Sequence, residues 1–232
     1  VLLLFDIDGT LLGGATDAHR DALHAALRQV HGIEARGAQL TISPAGRTDA
    51  EIARAILLAA GVSATTIDER ADLVRMACCR QYAELCTADL SHTVLPGVPE
   101  LLAWLCEQQH VRLALLTGNF EPVARLKLAR AGIGGFFARG QGAFGSDSED
   151  RTMLPAIARR RAGPVGRPYP RAETIVIGDT PRDIACARAD RVRCIAVATG
   201  RFGADELGDA DAVVADALGL RAELEKLLEP AF

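Results

Sequence analysis

Lysine is almost missing from this chain of 232 residues: only Lys127 and Lys226 occur, and arginine carries the rest of the positive charge. The bias reads as coding preference, yet it has a chemical consequence. Any cation needed between residues 128 and 225 has to be an arginine. No basic patch stands out, and the net charge is −4, which speaks against nucleic acid as a major partner. The six cysteines (Cys78, Cys79, Cys86, Cys106, Cys186, Cys194) show no Cys-x-x-Cys spacing. They sit in apolar helical or strand stretches, so reduced core thiols are expected rather than zinc ligands or a disulfide framework. No apolar run approaches the length of a transmembrane helix, and Val1–Phe5 is too short, and lacks the basic lead-in, for a signal segment. Internal repeats and low-complexity segments are missing too. These absences point to a cytoplasmic protein with no membrane partner, and they leave the oligomeric state open.

What is present suits a sizeable core, since 49% of the residues are hydrophobic. Short apolar runs at Val1 to Phe5, Val111 to Leu116, Thr174 to Ile177 and Cys194 to Val197 read as buried strands, with helical patterns between them. Val213-Val214 adds a short last strand before a closing helix, Leu218 to Leu228. That alternation predicts an α/β fold, a Rossmann-like parallel sheet with crossover helices. Between residues 16 and 91 no strand-like run appears. Leu23, Ala26, Leu27 and Val30 recur at helical spacing, Thr48 with Glu51 fits a capping box, and Thr66 with Glu69 fits another. An all-helical insert over 16–91 is therefore expected, with 1–15 and 92–232 forming the α/β core. Trp104 is expected in the core, and His19, Arg20 and His31 on the surface or rim of the insert.

The most informative segment is Asp6-Ile7-Asp8-Gly9-Thr10-Leu11. An apolar strand ends in two carboxylates one residue apart, at the strand end where open α/β sheets bind ligands. A turn closing the strand is the plain alternative, but like charge so close to a core needs a cation or a proton to compensate it. Thr117-Gly118-Asn119 ends the next expected core strand, where a hydroxyl and backbone N–H groups can face an anion. Equally, Asn119 could simply cap the following helix. Asp179-Thr180-Pro181-Arg182-Asp183 ends a third strand in acid, with a second acid four residues on and a proline suited to a first helical turn.

The Asp-x-Asp-Gly-Thr-Leu and Gly-Asp-x-x-x-Asp patterns, in this order with Thr117 between them, resemble the motifs of the haloacid dehalogenase-like hydrolase superfamily. The resemblance spans nearly the whole chain, since a helical cap is common at the position of the 16–91 insert. It implies Asp6 as nucleophile, Asp8 as general acid and base, and Thr117 as a hydrogen-bond donor to the phosphoryl oxygens, with Gly118 and Asn119 beside the substrate. One departure is visible: the family's usual lysine has no counterpart. Arg151 stands at that place, ahead of an apolar helix Leu154 to Ala158, and its fork can bridge carboxylate and phosphate. Arg159 to Arg161 read instead as a solvated helix face. Arg47, in a loop leading into a helix of the insert, is a candidate reader of the leaving group, although a solvated loop charge fits it as well.

Electrostatics calls for an ion in such a site. A carboxylate and a phosphate about 4 Å apart repel by about 4 kcal/mol per charge pair at an effective dielectric near 20. Mg²⁺ suits oxygen ligands of this kind. By the resemblance its ligands are the side chains of Asp6 and Asp179 and the backbone carbonyl of Asp8, with Asp183 acting behind them or through water. The implied activity is Mg²⁺-dependent hydrolysis of a small phosphorylated metabolite, in the manner of phosphoglycolate phosphatases, through an aspartyl-phosphate. A sugar phosphomutase using the same intermediate is the alternative. Dehalogenation fits poorly, because that branch lacks the second acid that Asp8 supplies, and nothing favours a non-catalytic binding module.

Overall fold

The structure is a computed structural model that describes residues 1–34 and 43–228. Part of the expected helical insert, 35–42, and the last four residues lie outside that description. Six parallel strands form one sheet: β1 (Leu2–Phe5), β2 (Arg112–Thr117), β3 (Ala143–Phe144), β4 (Thr174–Gly178), β5 (Arg193–Val197) and β6 (Ala212–Val214), in the order β3-β2-β1-β4-β5-β6. β1 lies between β2, which pairs Phe5 with Leu115, and β4, which pairs Phe5 with Ile177.

A parallel sheet covered on both faces needs strands that are apolar throughout rather than alternating. β1 meets that condition in four residues. Leu3 and Phe5 face one core with Leu102, Val123 and Leu220, while Leu2 and Leu4 face another with Leu154, Ala158 and Ala187. The first face is covered by α4 (Val98–Glu107), α5 (Glu121–Arg130) and α8 (Ala217–Leu228), and the second by α6 (Leu154–Ala162) and α7 (Pro181–Asp190). The order of strands reverses at β1: the chain runs outward through β2 and β3, then returns to β4 on the other side. The carboxyl ends of β1 and β4 thus border the crevice where such sheets take ligands.

Between β1 and β2 the chain forms α1 (Asp17–His31), α2 (Asp49–Ala59) and α3 (Ala64–Leu85). Thr48 caps α2 by accepting the Glu51 N–H at 3.1 Å, as its spacing predicts. The second expected box is displaced: Ser63, not Thr66, caps α3 and accepts the Thr66 N–H at 3.2 Å. A hydroxyl three residues earlier competes for the same N–H groups and begins the helix sooner. β3 escaped the sequence reading because two buried residues, Ala143 and Phe144, carry no period. No helix among the described residues is long and apolar enough to cross a membrane.

Several side chains differ from expectation. His19 is buried rather than on the rim, and its Nε2 donates to Asp49 Oδ2 at 3.0 Å. Arg159 is buried too, with Nε and Nη2 on the two carboxylate oxygens of Asp190 at 2.6 and 2.9 Å, so the arginine run is solvated only in part. Trp104 is half-buried at the edge of the core, with the Arg221 guanidinium 5.0 Å from its ring centre. All six cysteines are free thiols, but Cys106 lies on the exposed side of α4 and Cys79 is half-buried.

Candidate active site

Asp6 extends the β1 ladder by one residue, its N–H donating to the Ile177 carbonyl at 2.9 Å, and so fixes its side chain at the strand's carboxyl end. Asp179 follows β4 directly. Oxygen atoms of Asp6, Asp179 and Asp183 lie within 4.8 Å of one another, and all three residues are buried. Gly9 makes this approach possible. It holds φ at +95°, and a β-carbon there would fall 2.2 Å from Asp179 Oδ2. Thr10 Oγ1 donates to Asp179 Oδ1 at 3.3 Å.

Asp183 has two tasks. It is the third residue of α7, whose cap is Thr180, with Pro181 beginning the helix. Asp183 Oδ2 accepts from the Thr180 N–H at 3.0 Å and from its hydroxyl at 2.7 Å, while Thr180 Oγ1 accepts the Asp183 N–H. Its other oxygen accepts Arg151 Nη2 at 2.5 Å. The same nitrogen of Arg151 stands 3.1 Å from Asp6 Oδ1. Arg151 is 5% exposed, and its Nε is buried with no partner in the structure.

Three buried carboxylates therefore cluster around one guanidinium, which contacts Asp6 and Asp183 but not Asp179, and the electrostatics reflect the imbalance. Burial first, then the charges of Asp183 and Asp8 against the opposing pull of Arg151, push the Asp6 carboxyl up to about 7. Burial, with Asp6 and Asp183 beside it, pushes Asp179 up to about 8. Arg151, disfavoured by burial but flanked by Asp183 and Asp6, is held firmly in its charged form. A cluster of hard oxygen donors with surplus negative charge and no second cation is what a divalent ion such as Mg²⁺ requires. The residues present fit that ion.

Asp8 points elsewhere. Lys127 Nζ contacts both of its carboxylate oxygens at 2.8 Å, and Asn119 Nδ2 donates to Oδ2 at 3.0 Å. Burial works to raise this carboxyl, but the charges of Lys127 and then His19, with hydrogen bonds from Lys127 and Asn119, hold it below the usual range. Asn119 does not cap α5: Phe120 occupies that position, without a side-chain hydrogen bond, and Asn119 turns inward. Thr117 is fully buried, and its hydroxyl oxygen accepts the Asn119 N–H at 3.3 Å.

Gly118 is covered by the segment that begins α2. A β-carbon there would fall 2.0 Å from the Arg47 carbonyl oxygen. The Gly118 carbonyl accepts the Asp49 N–H at 2.8 Å, Asp49 Oδ2 accepts the Phe120 N–H at 2.7 Å, and the Thr48 hydroxyl donates to the Glu149 carbonyl at 2.7 Å. Arg54 adds an ion pair to Glu149 at 2.6 Å. The Arg47 backbone thus lies on the Thr117–Asn119 loop, while its guanidinium pairs with Glu51 and donates to the Ser43 carbonyl.

Asp6, Asp179, Asp183 and Arg151 come together as one cluster, and Asp8, Asn119 and Lys127 as a second. The sequence reading passed over Lys127 and His19. A signal for the first was present: Lys127 is one of only two lysines in the chain, and it lies on the helix that follows Thr117-Gly118-Asn119.

Paired acids ending two neighbouring parallel strands, over a doubly covered sheet, define a hydrolase class that works with buried carboxylates. Residues 3–188 match the model of the haloacid dehalogenase-like hydrolases, and the chain belongs to that family. It is 28% identical to a phosphoglycolate phosphatase of Pseudomonas fluorescens, over 99% of this chain and 80% of that protein. Among solved structures, a β-phosphoglucomutase from Clostridium difficile superposes with a TM-score of 0.69 at 18% identity, covering 98% of this chain and 96% of that one. A hydrolase from Pseudomonas syringae gives 0.65 at 22% identity, covering 97% and 98%. At such identities the superpositions speak for the fold alone. The chain is an enzyme, a phosphoric monoester hydrolase of the phosphoglycolate phosphatase-like branch.

Proposed function

We propose that the chain hydrolyses a small phosphorylated metabolite, phosphoglycolate or a sugar phosphate, with Mg²⁺ and through an aspartyl-phosphate on Asp6. The observation that carries this reading is the sharing of a single guanidinium by the carboxylates of Asp6 and Asp183 next to Asp179. The side chains of Asp6 and Asp179 and the backbone carbonyl of Asp8 would hold the ion, with Asp183 behind them through Arg151. Mg²⁺ supplies charge that offsets the repulsion between the carboxylates and an incoming phosphate.

The chain's own residues do the rest. Asp6 attacks phosphorus in line, and Asp8 protonates the departing oxygen. Asp8 then takes a proton from the water that hydrolyses the aspartyl-phosphate. Arg151, whose buried Nε is a spare donor, and the Thr117 hydroxyl face the phosphoryl oxygens together with the Gly118 N–H, while Asn119 borders the substrate through Asp8. In this reading residues 16–91 form a helical cap over a core of 1–15 and 92–232. The contacts of Thr48, Asp49 and Arg54 hold that cap shut, and Arg47 stands at its edge to read the leaving group once Glu51 yields. The free thiols suit a cytoplasmic setting.

The test combines chelation with Asp6→Asn. EDTA is expected to abolish phosphate release from a panel of metabolite esters, and Mg²⁺ to restore it. Asp6→Asn should fold normally and turn nothing over. Undiminished rates in chelator or in the variant would overturn the mechanism. Conversion of a hexose 1-phosphate to its 6-phosphate, in place of free phosphate, would make the chain an isomerase.

A further inference from the structure

Lys127 has no exposed surface, yet it carries an ammonium group in the last turn of α5. Burying a charge is costly unless it is paired and hydrogen-bonded. An ammonium has three hydrogens, and the structure gives it three acceptors: Asp8 Oδ1 and Oδ2, both at 2.8 Å, and Asn119 Oδ1 at 3.0 Å. Asn119 returns its amide to Asp8 Oδ2 at 3.0 Å. A carboxylate oxygen accepts two hydrogen bonds in its plane. Among the described residues Oδ2 has both, from Lys127 and Asn119, whereas Oδ1 has one. The Asp8 side chain is 22% exposed while that of Lys127 is 0% exposed, so the carboxylate is reachable and its anchor is not.

We infer that Lys127, with Asn119, is a positioning residue that pins the Asp8 carboxylate from behind and leaves Oδ1 as the oxygen that exchanges the proton. This rests on the phosphatase mechanism proposed above. Asp8, ionised in the free protein, takes up a proton as the phosphate monoester binds, and Oδ1 gives it to the leaving oxygen as the P–O bond to that oxygen breaks and the bond to Asp6 forms. It then takes one proton from water as the water oxygen bonds phosphorus and the Asp6–P bond breaks. One water is consumed, alcohol and phosphate leave, and Asp8 ends protonated, as it was once the monoester had bound. With no exposed surface, Lys127 acts through Asp8 rather than on the substrate. Its three hydrogens match the three acceptors that converge on one point, which suits a compact ammonium.

A purely structural ion pair would affect all substrates alike. A group that aims the acid would matter most where the leaving oxygen is basic. The experiment compares kcat/KM, which covers the steps up to the aspartyl-phosphate, for phosphoglycolate and p-nitrophenyl phosphate. Lys127→Met is expected to lose at least about tenfold more on phosphoglycolate, since nitrophenolate departs with little help from an acid. The ratio of the two rates is taken within one preparation, so any misfolded fraction cancels. In an Asp8→Asn background, Lys127→Met should leave that ratio unchanged. Equal losses on both esters, or an undiminished effect without Asp8, would overturn the role of Lys127 alone. Turnover of both esters by Asp6→Asn would overturn the aspartyl-phosphate reading, and this role with it.

Discussion

Arg151→Met removes the one guanidinium that the described residues bring to the acid cluster while keeping an unbranched apolar stem. In the native arrangement Nη2 lies 2.5 Å from Asp183 Oδ1 and 3.1 Å from Asp6 Oδ1, with Asp179 in the same cluster. Two carboxylates at the cluster's outer separation of 4.8 Å repel by about 3.5 kcal/mol at an effective dielectric near 20. Removing one partner of a buried ion pair costs about 3–5 kcal/mol, because the other charge stays behind. The two routes agree in size. For a chain of this length that loss corresponds to a fall in Tm of about 6–20 °C. Calorimetry without metal at pH 8 is the assay, since ionisation of Asp6 is then most complete. At pH 5 the deficit should shrink, as Asp6 carries a proton there, and at pH 8 added Mg²⁺ should recover part of it. A loss below about 1 kcal/mol at pH 8, or one indifferent to Mg²⁺, would refute this account of the cluster.

The wild-type protein should show the same electrostatics in its pH dependence. Asp6 and Asp179 titrate at about 7 and about 8 when folded, above their unfolded values, so the folded state binds more protons in between. Metal-free stability contributed by these groups therefore falls as pH rises from about 4 to about 8, and Mg²⁺ should stabilise most at the upper end; a thermal-melt series that rises over this window would contradict the shifts. Gly118→Ala places a β-carbon 2.0 Å from the Arg47 carbonyl and should push the α2 loop off the site. Its kcat/KM is expected to fall at least about tenfold, as misplacement near reacting groups does, and Tm to fall in keeping with the ~1–3 kcal/mol that such overpacking costs; unchanged kinetics would mean that the loop does not close over the substrate in this position.

The sheet was legible because its strands are buried on both sides. Uninterrupted apolar runs such as Leu2–Phe5 and Thr174–Gly178 have few other readings, and each is followed directly by an acid of the candidate site. β3 was illegible for the opposite reason, since two residues cannot show a pattern. Single polar residues misled where their partner lies far along the chain. Arg159 looked solvated because Asp190, 31 residues on, is invisible to local reasoning, and His19 looked peripheral because Asp49 reaches it only after α1 and α2 have packed. Asn119 showed the same ambiguity. Local rules make it a helix cap, and only Lys127 and Asp8 turn it into a member of the site.

The double duty of Asp183 ties catalytic competence to the opening residues of α7. The carboxylate that accepts the Thr180 N–H at the start of this helix also anchors the arginine beside Asp6. Fraying at that helix end would release Arg151 without melting the sheet beneath it. Mild denaturant should therefore silence the enzyme at concentrations that leave its circular dichroism intact.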